Sequence, residues 1–553
     1  MTLVGTFAVA ASPGCTLPWD LPLPSSELPD PSVPAGTPIG VDPPSNPSLA
    51  DGPWSASHRG SYAQGSSSLA GPANPAAIES RHATISDGAP ITQAISAQYD
   101  NGDRVVWLAP TGLTRSVYKL LATTLEQIDV YDPREREGAG EVTTVRISGA
   151  YSLVDADNHF ILARQRGVEV YGDAVEGDAH SGIALLRRFD IDDAFFCGAN
   201  DKVVGMVMSY DDYFAFVTER GVVGMLPRDP EAMRMDTLVR YSVTGEQCEG
   251  AYEEVSNSLA ADENGGVYFV SSRAAYRLNW DGGSLSLGWR TPYKSDEFPA
   301  AIRLGEGSGS TPSLMGVGDD EDRFVVITDG QQLMHLVLMW RDEIPDDWQG
   351  IAPGRDRRIA CEIPVRFGDP HAFYTVSEQS VLVRGYSSVL VNNTLSNPLA
   401  YFFIDLYALR RMLIVLDMGK PGLAPHGIER IDWLPEERRC QVVWSNPTIS
   451  IPNGIPTLSD PDRLIYGVGV QNGVWGLQAV DFDSGEEDYF VAGSECEPGY
   501  TAALPLWVQL VVVPVLAELK NSCENSTYAA TEIGADGAIY TGTFFGISRY
   551  ASN

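Results

Sequence analysis

An all-β, eight-bladed β-propeller is predicted by three features of the sequence: a recurring strand-turn-strand unit, one four-stranded blade traceable in full, and a glycine-rich composition with little helical periodicity. Eight copies of the unit place a turn near Gly102, Asp157, Asp211, Asn264, Asp320, Gly385, Asp462 and Asp536. Each turn follows a short strand-like run and precedes a second strand rich in aromatic and β-branched residues. The spacing is about 53 to 56 residues early and about 65 to 77 late, the range of four-stranded blades carrying loop insertions. The segment from Gly454 to Ala492 contains four such strands in succession and closes on the turn Asp483-Ser484-Gly485. A seven-bladed ring with one degenerate copy is the alternative.

The last copy starts at Ser526 and the chain ends at Asn553, which leaves no room for a fourth strand. Residues from about 81 to 90, beginning Arg81-His82-Ala83-Thr84, are expected to supply it and so close the ring without an exposed edge. The expected organisation is a signal or lipoprotein segment over 1–15, a Pro/Ser/Gly-rich linker and lead-in over 16–80, and the propeller over 81–553. Within the linker, Trp54 to Gln64 is less biased in composition and reads as a lead-in that docks onto the blades.

The 553 residues carry 73 acidic and 38 basic side chains, a formal net charge of −35. This balance argues against nucleic-acid or anionic-membrane partners, which need clustered Lys and Arg. Two apolar stretches, Tyr401 to Leu416 and Leu504 to Ala517, contain charges or prolines and are too short for spanning helices. Of the seven cysteines, Cys15 stands apart. It ends the stretch Ser12-Pro13-Gly14-Cys15 after a mildly apolar run and resembles the end of a bacterial lipoprotein signal peptide, although no Lys or Arg precedes that run. The resemblance implies a lipid anchor at Cys15 and a periplasmic or extracellular location. The remaining six cysteines suffice for three disulfides, with Cys496 and Cys523 the preferred pair because they bracket an insertion.

Ligands of propellers bind at the mouth of the central channel, where each innermost strand begins. Tyr151, Asn257, Thr311, Gln379, Asn453, Asn525 and Tyr528 stand at or just before those strands. These amides and hydroxyls suit a neutral polar ligand or a calcium ion held by carbonyl oxygens. His58, Arg59 and Tyr62 form the densest cluster of catalytic residue types, yet neighbours on an extended segment point to opposite sides, so they read as surface docking residues. His371 and His426 read as loop histidines. Gly318 to Asp322 reads as a solvated blade turn rather than a calcium loop. No phosphate-binding Gly loop, HExxH or GxSxG occurs.

The segments WSASHRGSYAQ…LAGP and GADGAIYTGTFFGISRY resemble the pyrroloquinoline-quinone-like propeller superfamily, at the level of the blade pattern and from about Trp54 onward. The resemblance implies the fold. The quinone-dependent dehydrogenases of that group carry adjacent cysteines and a repeated Trp-docking sequence, and both are missing here, which counts against bound quinone. The functional expectation is therefore an exported propeller that binds a small molecule or a protein partner at its channel mouth. The alternative is a propeller enzyme, a hydrolase, lyase or quinoprotein-like oxidoreductase, with a site assembled from several blades.

Overall fold

The computed structural model describes residues 39–85, 88–112, 115–138, 151–296, 306–318, 320, 322–395, 413–414, 417–420, 422–494, 524–526 and 528–552. They form eight antiparallel blades around one ring, which excludes the seven-bladed alternative. Blades 1 to 7 span Gly88–Tyr131, Ser152–Asp190, Val203–Ser242, Ala260–Pro292, Ser313–Pro364, Leu382–Asn446 and Thr457–Ala492. Every one of the eight turn positions read from the sequence falls between the innermost and second strands of its blade.

Both faces of an inner strand are buried, so its pattern is continuous rather than alternating. In Tyr213–Thr218 of blade 3, Phe214 and Phe216 pack towards blade 2, whereas Ala215 and Val217 pack towards blade 4. The outermost strand has one wet face, and Leu285–Pro292 of blade 4 accordingly leaves Ser286, Leu287 and Gly288 exposed. Acidic turn residues tie the innermost hairpins by accepting backbone hydrogen bonds. Asp155 Oδ1 takes those of Asp157 and His159 at 3.0 and 2.9 Å, and Asp262 Oδ1 takes those of Asn264 and Gly266 at 3.0 and 2.8 Å.

Blade 8 combines Thr531–Ile533, Ile539–Thr543 and Gly546–Ser552 with the N-terminal strand Ile78–Thr84. The pairing runs from Ile78 opposite Ser552 to Thr84 opposite Gly546, so closure starts three residues earlier than the sequence suggested. Blades 8 and 1 meet closely here: a Cβ on Gly542 would lie 1.8 Å from the Pro90 carbonyl oxygen, which restricts the position to glycine.

The segment preceding that strand lies against the innermost strands along one end of the channel. Main-chain hydrogen bonds join Trp54 O to Ile95 N of blade 1 and Ser55 O to Val154 N of blade 2. Ser61 O, Tyr62 O and Gln64 O then accept from Ala261 of blade 4, Leu314 of blade 5 and Val383 of blade 6. Ser66–Ser67 adds a fifth, parallel strand to blade 7. A belt of chain thus satisfies inner-edge groups that a bare ring leaves unpaired.

Two disulfides join neighbouring blades at the rim of the disc. Cys197–Cys248 links the segments that follow the outermost strands of blades 2 and 3. Cys361–Cys440 joins the outermost strands of blades 5 and 6. Cys15, Cys496 and Cys523 lie outside the described residues, as do nearly all of the two apolar stretches. Among the described residues no helix is long and apolar enough to cross a membrane.

Candidate functional site at the channel mouth

In an antiparallel blade the loop entering the innermost strand and the turn between the second and third strands emerge at the same end. The long insertions of the late blades, 392–427 within blade 6 and 493–530 before blade 8, therefore leave their blades on the face that carries the predicted rim residues. The belt lies mainly towards the opposite end, beside the innermost hairpin turns, where Leu49 bridges to Asp155 and the Asp460 amide donates to Ser67 O, and the His58 side chain reaches from it towards Ser380 and Tyr151.

The seven rim residues gather into two groups. In the first, the Tyr151 hydroxyl faces the Thr311 side chain and the Ser258 N–H. Thr311 Oγ1 accepts from Ser258 N at 3.2 Å, and Thr311 N donates to Ser380 Oγ at 3.2 Å. Asn257 donates to the Ser308 carbonyl at 3.1 Å. Gln379 precedes Ser380 and is 2% exposed, yet neither its amide nitrogen nor its amide oxygen has a hydrogen-bond partner among the described residues. Burial pushes the Tyr151 phenol up, so its hydroxyl is neutral across the physiological range.

The second group belongs to blades 7 and 8. Asn453 Nδ2 donates to Asn525 Oδ1 at 2.7 Å, and Tyr528 N donates to Asn453 O at 2.6 Å. The blade 6 insertion reaches this group: Met418 Sδ lies 3.8 Å from the Tyr528 hydroxyl, and Gly419 packs against Trp475 and Asn525. Asn393 connects the two groups, donating to the Pro452 carbonyl and accepting from Glu378 N, both at 2.6 Å.

His58 corrects the sequence reading. It is not on a docking surface but buried, with its Nε2 3.3 Å from Ser380 Oγ and its ring centroid 6.0 Å from that of Tyr151. Burial lowers its pKa to about 4, so it stands as a neutral imidazole at pH 7. Arg59 turns away to Asp42 at 2.8 Å, and the Tyr62 hydroxyl donates to Glu263 at 2.6 Å. The chain reverses here, the Arg59 amide bonding back to Ala56 O, and this turn separates the three side chains. His58, Ser258 and Ser380 were absent from the predicted rim. The positions of Ser258 and Ser380, directly after Asn257 and Gln379, were the signal for those two. His371 and His426 are exposed, and the latter meets the Thr448 carbonyl at 2.8 Å.

The acidic run near Asp320 has structural partners. Asp320 accepts from Val317 N at 2.8 Å and Asp322 from the Trp433 indole at 2.7 Å. Asp155, Asp157 and His159 bring three ligand-type groups together. The Arg228 guanidinium binds both of those carboxylates and supplies the positive charge there.

No family model matches the sequence. A protein of Archaeoglobus fulgidus, described as uncharacterized, is 42% identical over 514 residues, covering 93% of this chain and 90% of its own. The chain belongs to the family of that protein. Among solved structures, a quinohemoprotein alcohol dehydrogenase from Pseudomonas putida superposes with a TM-score of 0.52 at 13% identity, covering 93% of this chain and 82% of its own. A quinohemoprotein alcohol dehydrogenase from Comamonas testosteroni gives 0.49 at 11% identity, over 90% and 80% of the two chains. The first likeness shows the fold of the pyrroloquinoline-quinone-type propellers.

Proposed function

We propose that this protein is an exported propeller that binds a small, neutral, polar ligand at its channel mouth. Gln379 carries the reading. A buried amide with two unused donors and an unused acceptor is costly unless water or a ligand completes it, and this one stands beside the Ser380–His58 contact. The hydroxyls of Tyr151 and Thr311 and the rim amides supply the uncharged donors and acceptors that polyols and sugars call for. The acidic surface disfavours anionic ligands at long range. The two disulfides support an oxidising compartment, hence export. A calcium ion held by the amide carbonyls is the alternative occupant.

The enzymatic alternative is weaker because a histidine with a pKa near 4 is a poor general base at neutral pH. Native mass spectrometry tests the binding reading on the purified protein, as isolated and after incubation with neutral monosaccharides, polyols or calcium. At least one neutral probe is expected to bind. Gln379→Leu, which keeps the bulk but removes both polar functions, is expected to weaken that binding tenfold or more, as is Tyr151→Phe combined with Thr311→Val. Binding that survives in both variants places the site elsewhere, retention of calcium alone replaces the neutral ligand by the ion, and no binding of any probe overturns the proposal.

A further inference from the structure

A cavity lies on the same face, between blades 1 and 2. Its volume is about 190 Å³, and its lining includes Arg115, Arg164, Arg166 and Arg188 against only two acidic residues, Glu169 and Asp190. In a chain where acids outnumber bases by 73 to 38, four guanidinium groups are gathered around one small cavity.

Three of the four are held in place. Glu169 is buried and draws in Arg164 Nε at 2.5 Å and Arg188 Nε at 2.7 Å, while the Tyr171 hydroxyl donates to it at 2.8 Å. Burial opposes ionisation of Glu169, but Arg164 and Arg188 overcome this and hold its carboxyl at about 2. Arg188 also pairs with Glu137 through both terminal nitrogens. Arg166 is anchored to the Asp201 carbonyl at 2.8 Å and to Asp193 at 2.9 Å, with its guanidinium 3.8 Å from the centroid of the Phe196 ring. Arg164 Nη2 donates to the Arg115 carbonyl at 2.7 Å, which fixes the backbone from which Arg115 extends. The Arg115 side chain itself is exposed and makes no hydrogen bond or ion pair with another side chain among the described residues.

Three guanidinium groups are thus oriented in advance, and a fourth carries a planar fork of donors with no acceptor. We infer that this cavity is an oxyanion-binding site that takes the phosphate or carboxylate group of a small ligand, with Arg115 as the bidentate contact. The inference does not depend on the channel-mouth reading, since the two sites share no residue. Arginine is the side chain matched to these anions because its fork makes two parallel charge-assisted bonds, where lysine offers a point charge. Preorganisation of the other three lowers the ordering cost of binding.

Thermal unfolding of the full chain tests this with inorganic phosphate and, separately, with succinate, against chloride at equal ionic strength. One of the two anions is expected to raise Tm in a saturable manner, and which one does so identifies the source of the oxyanion. Because the Arg115 side chain is exposed, Arg115→Ala is expected to fold normally and to raise the apparent dissociation constant at least tenfold, with Arg115→Lys in between. A non-saturating rise that is equal in wild type and Arg115→Ala means general salt stabilisation or an adventitious ion only, and overturns the site. So does the absence of any rise.

Discussion

Trp54→Ala is expected to cost about 3–5 kcal/mol of stability, the range for removing a large aromatic from a closed core. Trp54 is 1% exposed and packs with Ile85, Ile95, Val106, Leu108 and Tyr540, so one belt side chain touches both blades at the ring-closure seam. Its carbonyl also accepts the Ile95 N–H at 2.7 Å, which holds the belt against blade 1. Loss of the indole leaves a cavity where blades 8 and 1 join. The seam has little freedom to collapse into it, because Gly542 already meets the Pro90 carbonyl. Urea denaturation followed by near-ultraviolet circular dichroism measures the change. A cost below about 1 kcal/mol would show that the belt decorates the ring rather than holding it. His58 lies four residues further along the same belt, so the neutral ligand proposed for the mouth is expected to bind more weakly to this variant as well.

The belt also marks where sequence reading stopped. The eight hairpin turns and the closing strand were legible because they rest on side-chain pattern: Asp and Gly at tight turns, and aromatic and β-branched residues on strands buried on both faces. Between Trp54 and Ser67 the bonds to the blades are made by the main chain, and the side chains are mainly small: Ser55, Ser57, Ser61, Ala63, Ser66 and Ser67. Small residues let the backbone approach the inner strands; the sequence marks Trp54 to Gln64 as a lead-in that docks onto the blades, but side chains this small do not say which strands the main chain meets. His58 was misplaced for the same reason, since a histidine amid Ser, Gly and Ala carries no sign of burial.

The cysteine pairing was hidden differently. Cys197–Cys248 and Cys361–Cys440 are 51 and 79 residues apart and meet because neighbouring blades pack side by side. Sequence spacing does not encode that adjacency. The rim amides, by contrast, stand where entry to the innermost strands puts them. Their division into two groups depends on Asn393 and Met418, which belong to the blade 6 insertion.

The second large effect is a dependence of stability on pH, and Glu429 provides it. This residue lies in the third strand of blade 6, is 1% exposed, and accepts hydrogen bonds from Phe367 N at 2.6 Å and Ser445 Oγ at 2.9 Å. Burial raises its pKa from 4.5 to about 7, against the opposing pull of Ser445 and of the amides at 366–368. The native state therefore holds the proton that the unfolded chain gives up near pH 4.5. Below that pH both states are protonated and Glu429 exacts no penalty. As pH rises towards 7 the unfolded state is progressively favoured, and above 7 the full loss, about 3 kcal/mol for this shift, is in place. Gln mimics the protonated acid in shape and cannot ionise. Glu429→Gln is accordingly expected to match the wild type below pH 4.5 and to exceed it by up to about 3 kcal/mol above pH 7. Urea midpoints taken at pH 4.5, 6 and 8 separate the outcomes: a gap that is constant across the series would mean that Glu429 is ionised in the native state throughout, held by the amides at 366–368. Glu532 adds to the trend. It is fully buried in the innermost strand of blade 8, no cation among the described residues faces it, and burial drives its pKa well above the carboxylate range, so it too loses stability for the fold as pH rises. Wild-type stability is therefore expected to fall from mildly acidic to neutral pH, with the repulsion among its many carboxylates acting in the same direction, and the double variant Glu429→Gln/Glu532→Gln is expected to flatten that fall more than either change alone.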